Sequence, residues 1–167
     1  MTKTEIEFLR ESNAIEGEFS NESLSDAKLA WAHTKTIKKI SINDILETHE
    51  ILMINLNYRI AGRFRDCAIR IGMVVKENET RDSLSEKLKR VVDIMNVSVE
   101  DKKNLSLKNR KVIAKTCHIM FEKIHPFEDG NGRVGRIIWN WHRKALGLGI
   151  RVIHVGEEQL FYYKWFK

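Results

Sequence analysis

The chain has 167 residues, 43% hydrophobic and 31% charged, with 9 Gly, one Pro and two Cys. This fits one domain with a genuine core and excludes collagen-like, disordered and disulfide-framed chains. The formal net charge of +6 is scattered along the sequence. Only Lys35, Lys38 and Lys39 cluster, with no aromatic platform beside them, so a basic solvated surface is expected and nucleic-acid binding is not.

No apolar run is long enough to cross a bilayer. The segment Met1–Glu5 turns acidic too early for a signal peptide, so a cytoplasmic location is expected. Cys67 and Cys117 stand singly among apolar residues and read as buried thiols in a reducing compartment.

In chain order, Lys3–Glu16 has helical spacing through Ile6, Leu9 and Ile15, with Gly17 as its stop. Ser12 and Glu16 are four apart and share a face. Ser23–Thr34 reads as a second helix through Leu24, Ala27, Ala30 and Trp31. Ser41 is a candidate N-cap for a third, whose stripe runs Ile42, Ile45, Leu46, His49, Leu52, Met53 and Leu56. Within that stripe His49 reads as a buried, hydrogen-bonded histidine. Gly62 breaks the pattern in Ala61-Gly62-Arg63-Phe64-Arg65. Cys67–Val75 is rich in β-branched residues and predicts a short hairpin with Gly72 near its bend. Helical spacing resumes at Leu84, Leu88, Val91, Val92 and Met95, and Val97–Asn104 reads as a polar break. Val112, Ile113, Cys117, Met120, Phe121 and Ile124 form a stripe that runs into His125. A further stripe, Val134, Ile137, Ile138, Trp141, Ala145 and Leu148, ends at Gly147 and Gly149. Ile150–Val155 predicts a short strand, and Glu157–Lys167 an aromatic-rich helix. The fold class is therefore mainly α, a helical bundle with one hairpin, in a single domain over residues 1–167.

The chemistry concentrates between the last two long helices, in His125-Pro126-Phe127-Glu128-Asp129-Gly130-Asn131-Gly132-Arg133-Val134-Gly135-Arg136. Gly130, Asn131 and Gly132 let backbone N–H groups converge at a helix start, where the dipole adds positive potential. Together these suit phosphate. Arg133 and Arg136 are three apart and offer guanidinium forks for phosphate oxygens. Asp129 supplies a carboxylate of the kind that holds Mg²⁺ beside phosphates. His125 is a base suited to neutral pH. These parts describe nucleotidyl or phosphoryl transfer. Gly130–Gly135 also satisfies the dinucleotide fingerprint G-x-G-x-x-G. That reading needs a strand before the loop and further βαβ units, and neither is legible.

His125–Arg136 resembles the signature of Fic-domain proteins, His-x-Phe-x-(Asp/Glu)-Gly-Asn-Gly-Arg-x-x-Arg, at every fixed position. Gly62, Arg63, Phe64 and Arg65 before a β-rich stretch look like the family's flap, which docks a target protein. Ser12-x-x-x-Glu16-Gly17 is similar to the family's inhibitory motif, which would make residues 1–20 an N-terminal inhibitory helix. The resemblance implies AMPylation: transfer of AMP from ATP, with Mg²⁺, to a Ser, Thr or Tyr hydroxyl of a target protein, the protein itself among the candidates. By that resemblance, His125, Asn131 and Arg133 would be catalytic, with His125 the base. Gly130, Asn131, Gly132, Arg133 and Arg136 would bind phosphates, and Asp129 would hold Mg²⁺. Phe127 would anchor the loop in the core, and Glu16 would block Arg136. Alternatives on the same fold are removal of AMP with Glu16 positioning water, a different nucleotide donor, or a non-catalytic nucleotide-binding module. An interface between copies would bury the aromatic tail around Phe161–Phe166.

Overall fold

The computed structural model describes residues 1–71 and 74–166. Its elements are α1 (Lys3–Ile15), α2 (Asn21–Thr34), α3 (Ile42–Met53), β1 (Ile69–Ile71), β2 (Val74–Lys76), α4 (Arg81–Glu100), α5 (Leu107–Ile124), α6 (Asn131–Ala145) and α7 (Glu157–Tyr163), followed by a 3-10 turn at Lys164–Phe166. Local chemistry sets the helix starts. Thr2, Ser20, Ser41, Thr80 and Ser106 each accept a backbone N–H from the first turn of α1 to α5. This satisfies donors that the helix itself leaves free. Thr2/Glu5 and Ser41/Asp44 add the reciprocal bond of a capping box.

α6 is the central helix. It packs against α5, α3, α2, α1 and α4, and every residue from Arg133 to His142 is buried. The main core around it includes Phe8, Leu9, Trp31, Leu52, Leu88, Phe121 and Phe127. A second cluster, Ala114, Trp139, Leu146, Ile153 and Tyr162, sits where the C-terminal segment covers α5 and α6. Two polar side chains that α6 buries tie it to its surroundings. Asn140 takes both the N–H and the C=O of Arg151, and His142 Nε2 lies 2.8 Å from Ser98 Oγ.

The hairpin pairs antiparallel, with Ile69 opposite Lys76 and Arg70 opposite Val75. The expected bend at Gly72 lies outside the described residues. The expected strand over 150–155 does not form. With no neighbouring strand, its Arg151 backbone pairs with the Asn140 side chain instead. α4 runs on to Glu100, into the start of the expected break, where Ser98 turns its hydroxyl inward to Met95 O and His142; turns follow from Asp101. α3 stops at Met53, and Leu56 lies exposed in the following turns. Cys117 is buried but Cys67 is only half-buried. Among the described residues, no helix is long and apolar enough to cross a membrane.

Candidate active site

The site forms where α5 hands over to α6. His125 ends α5 with φ 52°, and it alone among the described non-glycine residues has a positive φ. A left-handed residue with a Cβ carries about 1 kcal/mol or more of strain, so surrounding contacts must hold it. Arg65 provides two of them. Its Nε donates to His125 O (2.9 Å) and its backbone N–H to Pro126 O (2.9 Å). The His125 ring is fixed through Nδ1, 3.2 Å from Glu122 O. A carbonyl only accepts, so Nδ1 carries the hydrogen and the neutral ring keeps its lone pair on Nε2. Burial lowers the proton affinity of the ring, and the charges of Lys76 and Arg65 lower it further, against the raising influence of Glu122 O and Glu16. His125 is therefore poised as a free base near neutral pH.

The loop after His125 is braced from within. Asn131 closes it: Oδ1 accepts Phe127 N–H (2.9 Å) and Nδ2 donates to Phe127 O (2.8 Å). Phe127 is fully buried and stacks on His49 at 3.8 Å. His49 is the buried, bonded histidine that its stripe implied, and it does more than fill the core. Its Nδ1 accepts Gly62 N–H (3.0 Å), so Nε2 carries the hydrogen and donates to Asp129 O (3.1 Å). One ring thus bridges the base of the hairpin and the motif loop. Gly130 has φ 75°, and a Cβ there would lie 2.9 Å from Met53 Sδ, so only glycine fits.

At the start of α6 no side chain caps the free N–H groups. Arg133 lies beside them, 3% exposed. Its Nη2 reaches Met53 Sδ at 3.0 Å, while Nε and Nη1 have no partner among the described residues. A buried guanidinium with orphaned donors calls for an anion, and a phosphate fits it. The Asp129 carboxylate is exposed at the rim, with Oδ1 accepting Gly130 N–H at 2.6 Å. An exposed carboxylate beside a phosphate cradle suits Mg²⁺.

Arg136 is deeply buried and faces the end of α1. Its Nε donates to Ser12 Oγ (2.9 Å), and Nη2 donates to Ser12 O (2.9 Å) and Glu16 Oε1 (2.7 Å). Glu16 is placed by the way α1 ends. Gly17 N–H bonds Ala14 O, Glu18 N–H bonds Asn13 O, and Gly17 has φ 77°. This is a Schellman closure, which needs a left-handed residue at that point. It leaves the Glu16 carboxylate over Gly132, where an added Cβ would collide with Oε1.

Behind Arg136 lies an acid that sequence reasoning missed. Glu122 is mostly covered, its Oε1 is buried with no hydrogen-bond partner among the described residues, and that oxygen sits where a Cβ on Gly135 would collide. Burial, opposed by Arg136 and helped by the Glu16 charge, raises its carboxyl to about 8. It is protonated at neutral pH. The available signal was an acid interrupting an apolar stripe one turn before His125. Met53 carried no sequence signal for its place beside Arg133.

Most of the expected site residues therefore converge. Two are used differently. Asn131 places both polar ends of its side chain on Phe127, so its side chain closes the loop rather than pointing to a phosphate. Arg65 is buried with its guanidinium engaged inside the protein, which does not suit target docking. Of the four residues ahead of the hairpin, Arg63 is exposed, Gly62 and Phe64 are partly covered, and Phe64 lies 6.3 Å from the Phe127 ring. The dinucleotide fingerprint fails on context. The loop follows a helix, and the sheet among the described residues is a two-stranded antiparallel one.

Residues 39–142, more than half of the chain, match the Fic/DOC family. The chain belongs to the Fic/DOC family. It is 32% identical over 138 residues to "Protein adenylyltransferase fic-1" of Caenorhabditis elegans, covering 79% of this chain and 24% of that protein. It thus spans about a quarter of the length of this curated relative. A crystal structure of a Fic domain containing signaling protein from Bacteroides thetaiotaomicron superimposes with a TM-score of 0.78 at 21% identity, over 98% of this chain and 70% of that one. Fic-1 from C. elegans gives 0.78 at 22% identity, over 99% and 55%. At such identities these structures establish the Fic fold, and with it the mainly helical architecture and small antiparallel sheet.

Proposed function

We propose that this Fic domain is a protein adenylyltransferase held in check by its own Glu16. The observation that carries the transfer reading is Arg133: a buried guanidinium with two orphaned donors at an uncapped helix start, on the loop that His125 opens. A triphosphate laid there would meet N–H groups, Arg133 and, once freed, Arg136. The target hydroxyl oxygen attacks the α-phosphorus of ATP, and the bond to the bridging oxygen of the β-phosphate breaks. Pyrophosphate leaves with that electron pair, and the hydroxyl proton passes to His125 Nε2. Asp129 would hold Mg²⁺, which when bound offsets charge on the phosphates. The names of the curated relatives support the same activity.

The inhibition reading is supported by the Glu16–Arg136 contact at 2.7 Å and by the carboxylate's place over Gly132. While Glu16 stays there, Arg136 cannot fork onto a terminal phosphate, and the space above the loop is filled by negative charge.

Incubation with Mg²⁺ and α-labelled ATP tests both parts, read as label on the protein itself and on lysate proteins. Glu16→Gly is expected to raise labelling by roughly 10-fold or more. His125→Ala is expected to abolish it in either background. Equal labelling with and without Glu16 would remove the brake, and label surviving His125→Ala would remove the base.

A further inference from the structure

Arg65 lies outside the motif, between α3 and β1, yet it touches more of the site's framework than any residue inside the motif. Its side chain is fully buried. Besides His125 O, the guanidinium donates to Cys67 O (3.1 Å) just before β1 and Glu77 O (2.9 Å) just after β2, and it pairs with Glu79 Oε1 (3.2 Å). One planar fork therefore gathers both stems of the hairpin and the carbonyl of the left-handed residue that bears the base. Its own backbone N–H takes the next carbonyl, Pro126 O. Lys76 of β2 reinforces the same seam by donating to Lys123 O.

We propose that Arg65 is a positioning residue for His125. It locks the strained backbone that aims the ring, and its charge, with that of Lys76, adds to burial in disfavouring a proton there. The charged groups facing the ring are Arg65 from the α3–β1 connection, Lys76 from β2 and Glu16 from the end of α1, with the Glu122 carbonyl on α5. Two of the three charges oppose a proton on His125, and both come from the hairpin and its approach. The geometric and electrostatic parts separate by substitution. Arg65→Gln loses the charge and most of the fork, whereas Arg65→Lys keeps the charge and loses the fork.

The proposal rests on the adenylyl-transfer reading for its rate measurements but not for its titration. In the Glu16→Gly background, the His125 ring is titrated by NMR in the unloaded protein, and self-labelling is followed against pH and ATP concentration. Arg65→Gln is expected to move the ring titration and the acid limb of the rate to higher pH, and to lower kcat roughly 10- to 100-fold with KM for ATP little changed. Arg65→Lys is expected to lower kcat while leaving the ring titration near that of the parent. A ring that titrates unchanged in folded Arg65→Gln would overturn the proposal. Should that variant not fold, Arg65→Lys decides: lowered kcat at parental KM supports positioning, and parental kcat overturns it. If the parent itself labels nothing, the transfer reading fails while the ring titration still decides the role of Arg65.

Discussion

Glu122 shows how one buried side chain can set a pH dependence. Its carboxyl is protonated in the folded state up to about 8, against 4.5 in the open. Below the lower value both folded and unfolded chains hold the proton, and stability does not depend on it. Between the two values only the folded chain holds it, so stability falls as pH rises through that window and the loss is complete above it. Each tenfold difference in proton affinity is worth about 1.4 kcal/mol, so the accumulated penalty is several kcal/mol. Glu122→Gln has no proton to lose. The variant should gain on the parent steadily as pH rises from mildly acidic to alkaline, as read by urea unfolding at each pH. Parallel curves for the two proteins would show that Glu122 does not titrate in this way. The residues of the motif were legible because their chemistry is contiguous. The parts that Glu122, Arg65 and Met53 play there were not, because each reaches the site through packing of separate segments, and a side chain looks the same in sequence whether it faces the site or not.

At the scale of elements, the end of α1 sets the position of the Glu16 carboxylate, the proposed inhibitor. Gly17 closes the helix in a left-handed conformation, and a Cβ there would touch nothing within 4 Å. Gly17→Ala therefore carries a conformational penalty of about 1 kcal/mol without a clash. The relief is local: the Schellman closure loosens and Glu16 leaves Arg136 more often. Self-labelling should rise above the parent but stay below Glu16→Gly, with a small fall in Tm. Labelling at the parental level would mean that Ser12 alone fixes the last turn. Periodicity found the helices because their apolar faces repeat. It understated α6, where Asn140 and His142 are buried with partners that no spacing rule identifies. It overstated residues 150–155, since β-branched residues make a strand only where another strand is available to pair.

Across the whole molecule, the proposed brake would depend on how α1 is seated well away from the site. Phe8 meets Trp31 edge-on at 5.5 Å. Glu5, nearly buried, joins Lys35 of α2 (2.8 Å) and Lys144 of α6 (3.4 Å), and both ammonium groups lie over Trp31. Burial alone would raise the Glu5 carboxyl, but the bonds from Lys35 and the Thr2 N–H outweigh it and hold it at about 2. A depressed acid stabilises the fold above its unfolded value, and that stability is lost as pH falls towards the folded one. Glu5→Gln should cost about 2 kcal/mol near neutral pH and nothing once the parent is itself protonated. The same change should raise self-labelling, because it loosens the helix that carries Glu16. An unaltered acid unfolding curve would show that the three-way contact contributes nothing.

The bare Cα of Gly132 has one more consequence. The Glu16 carboxylate can rest there only because position 132 has no side chain, and the same emptiness is what a phosphate would use. On the proposed function, Glu16 and nucleotide would be rival tenants of one space, and their contest would be settled by mass action. Such a brake would respond as a dial: the fraction of active molecules would rise with the concentration of nucleotide and with anything that weakens the hold of α1, with no separate trigger required.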